Sequence, residues 1–171
     1  MLLSCLKNTR RNGKTKRGVK MNDVFKDFCT YRKGEKSLFH FLCDEDLKNL
    51  SAFFENKHIP AGETLWKEED PFNYIAFIAS GRVEIRKETE FKGKNVIMGI
   101  YGKGALCILD DSLRKVTAVA LEDVSLVIIT QENLDRLIET NPGLGAKLLK
   151  GMLLTVSDRL RKSYDRLTVF F

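Results

Sequence analysis

The stretch "IPAGETLWKEEDPFNYIAFIASGRVEI", Ile59 to Ile85, decides how the chain folds. Short runs of strand-forming residues alternate there with turn residues, a pattern of period two rather than the 3.6 of a helix. "ETLWK" follows a turn at Ala61–Gly62, "NYIAFIA" is a longer strand ending at Ser80–Gly81, and "RVEI" resumes the alternation. The same texture extends outward from Lys57 to Thr130. "KHIP" precedes the first turn, and "RVEIRKETE" alternates apolar and charged residues up to a turn at Lys92–Lys94. "NVIMGIY" is apolar almost throughout, "KVTAVA" alternates again, and "VSLVIIT" reads as a buried strand. Short strands punctuated by glycine about every ten residues predict a sandwich or jelly roll. The absence of strand–helix alternation argues against a parallel doubly wound sheet.

Helical periods flank this region. Residues 22–42 read as two short helical pieces with a turn at Gly34. In "CDEDLKNLSAFFEN" Asp44 is the expected N-cap, acids fill the first turn, and Leu47, Leu50, Phe53 and Phe54 recur at helical spacing. "QENLDRLIET" is a further helix, broken at Asn141–Gly143. A long helix then runs from Leu144 to Leu167, in which Leu149, Leu153, Val156, Leu160 and Leu167 follow a 4-3-4-7 spacing with Ser163 as a polar gap. Such a seam predicts a homodimer through this helix, the alternative being a helix laid on its own barrel. The expected organisation is a disordered basic tail over 1–20, a β domain with N-terminal helices over 21–143, and a dimerisation helix over 144–171.

The 171 residues suffice for one domain with a sizeable core. Their net charge of +6 is unevenly placed. Residues 1–20 hold Lys7, Arg10, Arg11, Lys14, Lys16, Arg17 and Lys20 and no acid, which leaves 22 basic against 23 acidic side chains after Val19 and Lys20. The folded part is therefore near neutral, and direct nucleic-acid binding is not expected of it. Met21 follows the tail as a second candidate start. No apolar run is long enough to span a bilayer, so no membrane association is expected. Cys5, Cys29, Cys43 and Cys107 stand apart without a C-x-x-C pair, pointing to a reducing cytoplasm rather than to disulfides or zinc. His40 and Cys43 share a spacing of three, but with His58 the only other histidine no metal site is assigned.

Between the strands lies "GKGALCILDDSLRKVTA", Gly102 to Ala118, with two glycines, an apolar turn and one arginine. Glycine-framed backbone amides and a guanidinium are the groups that hold a phosphate or similar small anion. No nucleophile elbow, Walker loop or paired-carboxylate pattern accompanies them, so an enzyme is not expected.

The order of elements and four local motifs together resemble the cyclic-nucleotide-binding domain family. Its members include the sensor half of catabolite activator-type bacterial regulators, kinase regulatory subunits and gated channels. The likeness covers residues 38–166, and it implies that 21–143 form N-terminal helices and an eight-stranded antiparallel jelly roll that serves as a sensor domain. Ile59–Ile85 is similar to that family's glycine turn, second turn and Ser-Gly-terminated strand, although the family's Gly-Asp at the second turn is Glu69-Asp70 here. "NPGLGAKLLKGMLLTVSDRL" is similar to its Pro-led helix. Gly102–Ala118 falls where the family carries its phosphate-binding cassette.

The resemblance implies that Gly104, Ala105, Leu106, Cys107, Arg114, Lys115 and Thr117 line a cyclic-nucleotide pocket. Arg114 would close the phosphate cage, and Thr117 would face the base or phosphate from the next strand. Solvent exposure of Arg114, or pairing with an acid of its loop, is the competing expectation. The cassette departs from the family's pattern in two places. Ala105 replaces the Glu that accepts the ribose hydroxyl, a loss worth about 1.5–3 kcal/mol and hence roughly 10- to 150-fold in affinity. Asp110 and Asp111 lie too far along the loop to replace it simply, and Leu113 stands where the family has Pro.

A helix-turn-helix reader would need about sixty residues beyond Phe171. The expectation is thus a non-enzymatic sensor or adaptor domain without its own output domain. It would bind cyclic AMP, cyclic GMP or another small anion weakly, need no cofactor, and signal to a protein partner. The alternative is a ligand-free docking and dimerisation scaffold that keeps the fold only.

Overall fold

The computed structural model describes residues 23–31, 41–91, 93–107 and 113–167. The basic tail, Met21, the Gly34 turn, His40, Lys92, Asp110 and Asp111 lie outside the described residues. Helices α1 (Asp23–Tyr31) and α2 (Asp44–Leu50) lead through a 3-10 turn (Ser51–Phe53) into the strands. These are β1 (Glu55–Ile59), β2 (Thr64–Trp66), β3 (Tyr74–Ser80), β4 (Val83–Glu88), β5 (Asn95–Tyr101), β6 (Leu106–Cys107), β7 (Thr117–Ala120) and β8 (Val124–Thr130). Helices α3 (Gln131–Thr140) and α4 (Pro142–Leu167) follow.

Two four-stranded antiparallel sheets, ordered β1-β8-β3-β6 and β2-β7-β4-β5, face each other as a jelly roll. Alternation along β3 and β8 serves two cores. Ala76, Ile78, Leu126 and Ile128 point between the sheets, toward Leu65, Trp66, Val83, Ile85, Ala118 and Ala120. Ile75, Phe77, Val127 and Ile129 point the other way, under Phe25, Phe28, Leu50, Leu137, Leu144, Leu148 and Met152 of the four helices. Both faces are covered, which is why these two strands are apolar without a break.

One local expectation is corrected. Asp44 is the first helical residue of α2, not its N-cap. The cap is Cys43, whose N–H donates to Asp46 Oδ2 at 3.0 Å and so closes the first turn. The apolar strand "NVIMGIY" is an edge strand, and Val96, Ile97, Met98 and Ile100 are all exposed.

On α4 the side chains divide between two faces. Leu144, Leu148 and Met152 bury against the first sheet's outer core. Leu149, Leu153, Val156 and Leu160 lie roughly a third of the way round the helix from that stripe and are exposed, Leu153 at 65%.

Candidate functional site

The strand β2 ends in two consecutive inward residues, Leu65 and Trp66, because its register against β7 shifts between Thr64 and Trp66. A bulge of this kind lets neighbouring side chains enter one core. The chain then turns at Lys67–Asp70. Asp70 Oδ2 accepts the Lys67 N–H at 2.7 Å, and Glu69 adopts φ +71°, the left-handed conformation that favours glycine. This is where the resemblance leads one to expect Gly.

The turn is clasped to Arg114. The Glu69 N–H donates to the Arg114 carbonyl and the Arg114 N–H to the Asp70 carbonyl, both at 2.8 Å, and Pro71 bridges to Leu113. The Arg114 side chain is thereby turned inward, with the residue only 1% exposed. Its guanidinium carbon lies 4.2 Å from the Trp66 ring centroid, 4.6 Å from that of Phe72 and 4.9 Å from that of Tyr74. Nη2 donates to the Tyr74 carbonyl at 2.8 Å. A buried cation is costly by itself. Three ring faces and a carbonyl offset that cost, each ring contributing about 0.5–2 kcal/mol in a desolvated setting.

The other cassette residues fall into two groups. Thr117 belongs with Arg114, since its Oγ1 accepts the Glu68 N–H of the same turn at 3.0 Å. Lys115 is exposed beside them, its carbonyl accepting Lys87 Nζ at 3.1 Å. Lys87 also bonds Glu68 Oε1 at 2.9 Å, and its ammonium holds the Glu68 carboxyl below the usual range against a small opposing effect of burial. The acid at this corner is therefore ionised and paired, and Arg114 supplies the interior charge.

Gly104, Ala105, Leu106 and Cys107 lie on the lead-in to β6 and on β6 itself, beside β3. The Gly104 N–H donates to the Ile78 carbonyl at 2.7 Å and the Ala105 N–H to the Gly102 carbonyl at 3.0 Å. Those two amides are committed to the fold. Leu106 and Cys107 pair with Phe77 and Ala76 of β3. Trp66, Phe72 and Tyr74 were not among the residues the sequence reading selected. The available signal was three aromatics within nine residues around one turn, including the chain's single tryptophan.

The two sheets and the flanking helices have the architecture that the order of elements led one to expect, and comparison with known proteins identifies the family. The sequence matches the family described as "Cyclic nucleotide-binding domain" over residues 56–141. The chain belongs to that family. It is 28% identical over 109 residues to the cyclic AMP receptor protein of Thermus thermophilus, covering 61% of this chain and half of that protein's length. Among solved structures, a cyclic nucleotide-binding domain from Methylobacillus flagellatus superposes with a TM-score of 0.73 at 24% identity, covering 87% of this chain and 85% of the other. The catabolite activator protein of Thermus thermophilus gives 0.61 at 28% identity, covering 78% and 62%. This cyclic nucleotide-binding domain is thus a jelly roll in which Arg114 is buried among three aromatic rings. No helix among its described residues is long and apolar enough to cross a membrane.

Proposed function

We propose that this cyclic nucleotide-binding domain is a non-enzymatic cytoplasmic sensor that takes a cyclic nucleotide or another small phosphate anion between its sheets. Binding is weak, because Ala105 offers no acceptor to a ribose hydroxyl. Occupancy is passed along α4 to a second copy and from there to a protein partner, without direct contact with nucleic acid. The observation that carries this reading is Arg114, a cation 1% exposed and aimed into the interior rather than into solvent. Titration calorimetry of the full chain with cyclic AMP and cyclic GMP tests it. Micromolar or weaker binding is expected, and heat changes no larger than dilution at millimolar nucleotide would refute it.

A second reading has its own support. The Gly104 and Ala105 amides are already bonded, and Arg114 already has the Tyr74 carbonyl. On that reading the fold is a docking and dimerisation scaffold, and Arg114 is part of its core.

A further inference from the structure

Trp66 is 5% exposed and lies in the core between the sheets. An indole brings an N–H with it. The Trp66 Nε1 is sealed from solvent, and among the described residues no acceptor meets it. Leaving a buried donor unmet costs about 1–3 kcal/mol. That cost is carried at the nearest of the three rings over which the Arg114 guanidinium sits, 4.2 Å from the centroid.

The two groups make complementary demands. The indole N–H needs an acceptor in the plane of the ring, whereas the guanidinium places its positive charge over the ring face. Whatever accepts the N–H therefore sits beside a fixed cation, and an anionic oxygen satisfies both far better than a neutral one. A tetrahedral oxyanion presents oxygens in several directions, so it can meet an in-plane donor and an out-of-plane charge together. A planar carboxylate suits this perpendicular pair less well.

We propose that the Trp66 indole N–H is a ligand donor of this domain, directed at a phosphate oxygen and acting with Arg114 to select phosphate-bearing ligands. The proposal rests on the reading that the space between the sheets takes a ligand. It adds a specificity-determining residue on β2, outside the cassette. The phosphate can come from a cyclic nucleotide, a nucleoside monophosphate or free inorganic phosphate.

Because Trp66 is the chain's single tryptophan, its indole gives one nitrogen–proton resonance in the labelled full-length protein. Inorganic phosphate, adenosine monophosphate, cyclic AMP, cyclic GMP and neutral adenosine are titrated separately, with calorimetry in parallel. A downfield shift of that resonance is expected with phosphate-bearing compounds and not with adenosine. Trp66→Phe, which keeps a ring and removes the N–H, should weaken calorimetric binding about 10- to 150-fold, the worth of one hydrogen bond to a charged group. Should that variant misfold, the wild-type resonance alone decides. Calorimetric binding of a cyclic nucleotide with an unmoved indole resonance, or an equal shift with adenosine, overturns the role of Trp66 and leaves the sensor reading standing. A shift with inorganic phosphate alone supports Trp66 and removes the cyclic nucleotide. Silence of every compound at millimolar concentration in both measurements overturns both.

Discussion

Arg159 of α4 donates from Nη1 to the carbonyl of Leu106 on β6 at 3.3 Å, and its guanidinium carbon lies 4.1 Å from the ring centroid of Tyr101 on β5. One side chain thus joins the C-terminal helix to both sheets, at the strand that enters the cassette loop. A charge-assisted bond and a half-buried cation–π contact together contribute about 1–2 kcal/mol. Arg159→Ala should lower Tm by about 2–8 °C in calorimetric melting, given the size of the chain. In the proposed mechanism it should also uncouple nucleotide binding from any change in α4. An unchanged Tm would mean that the contact is incidental.

Arg114 is placed differently, and its removal should cost more. Arg114→Ala leaves a cavity among three rings and strips the Tyr74 carbonyl of its donor. Loss of packing plus an unmet buried acceptor predicts about 2–4 kcal/mol of destabilisation, read from urea unfolding midpoints. Wild-type stability in this variant would show that the cage is not structural, which would count against the scaffold reading in particular.

Much of the fold was legible because periodicity reports burial. β3 and β8 are apolar on both faces and are covered on both, and "QENLDRLIET" became α3 residue for residue, with Thr130 capping it through Asn133 at 3.1 Å. β6 escaped notice because two residues carry no period. The aromatic cage escaped because its contacts join β2, β3 and the segment before β7, which only the folded topology brings together. The edge position of the apolar β5 was not legible for a related reason, since composition does not distinguish a central strand from an edge. Turn chemistry was legible in part. At Gly81 (φ +85°) a Cβ would stand 2.4 Å from the Asp123 carbonyl oxygen, so glycine is required there. At Glu69 the same left-handed region holds an ordinary residue. Glu69→Gly should therefore stabilise the fold by about 0.5–1 kcal/mol, since relief of strain exceeds the entropy that glycine adds to the unfolded chain. Thermal melting that shows a loss instead would mean that the Glu69 side chain contributes more than its backbone costs.

Acid should loosen the join between α2 and α4. Asp46 Oδ2 accepts Lys147 Nζ at 2.7 Å and the Cys43 N–H at 3.0 Å. Burial raises the Asp46 pKa, but the Lys147 and Cys43 bonds outweigh it and hold the carboxyl below the ordinary 3.8. A pKa depressed by folding gives stability that is fully present above the unfolded value and is lost as pH falls through the folded one. Lys147 is partly exposed, so the effect is at most about 1 kcal/mol. Asp46→Asn should be less stable than wild type near neutrality, with the gap closing as pH falls below the ordinary 3.8 and through the lowered folded value, where the wild-type carboxyl protonates. A gap that is independent of pH would locate the effect in packing rather than charge.

The exposed seam of α4 gives the final prediction. Leu149, Leu153, Val156 and Leu160 share one side of the helix, and none of them belongs to the stripe that Leu144, Leu148 and Met152 bury on the body. Four apolar side chains at coiled-coil spacing expose surface that a second helix of the same kind would cover, with the largest gain at Leu153, the most exposed of them. The full chain should therefore run as a dimer in light scattering at tens of micromolar. Replacing Leu153 and Val156 together by Glu places four like charges in the paired seam, which should shift the protein to monomer by several kcal/mol of association energy. Because both positions are exposed in the single chain, the far-ultraviolet circular dichroism of the variant should match wild type. A wild type that is monomeric at high micromolar concentration would remove the dimer, and α4 would then have to signal to an unlike partner.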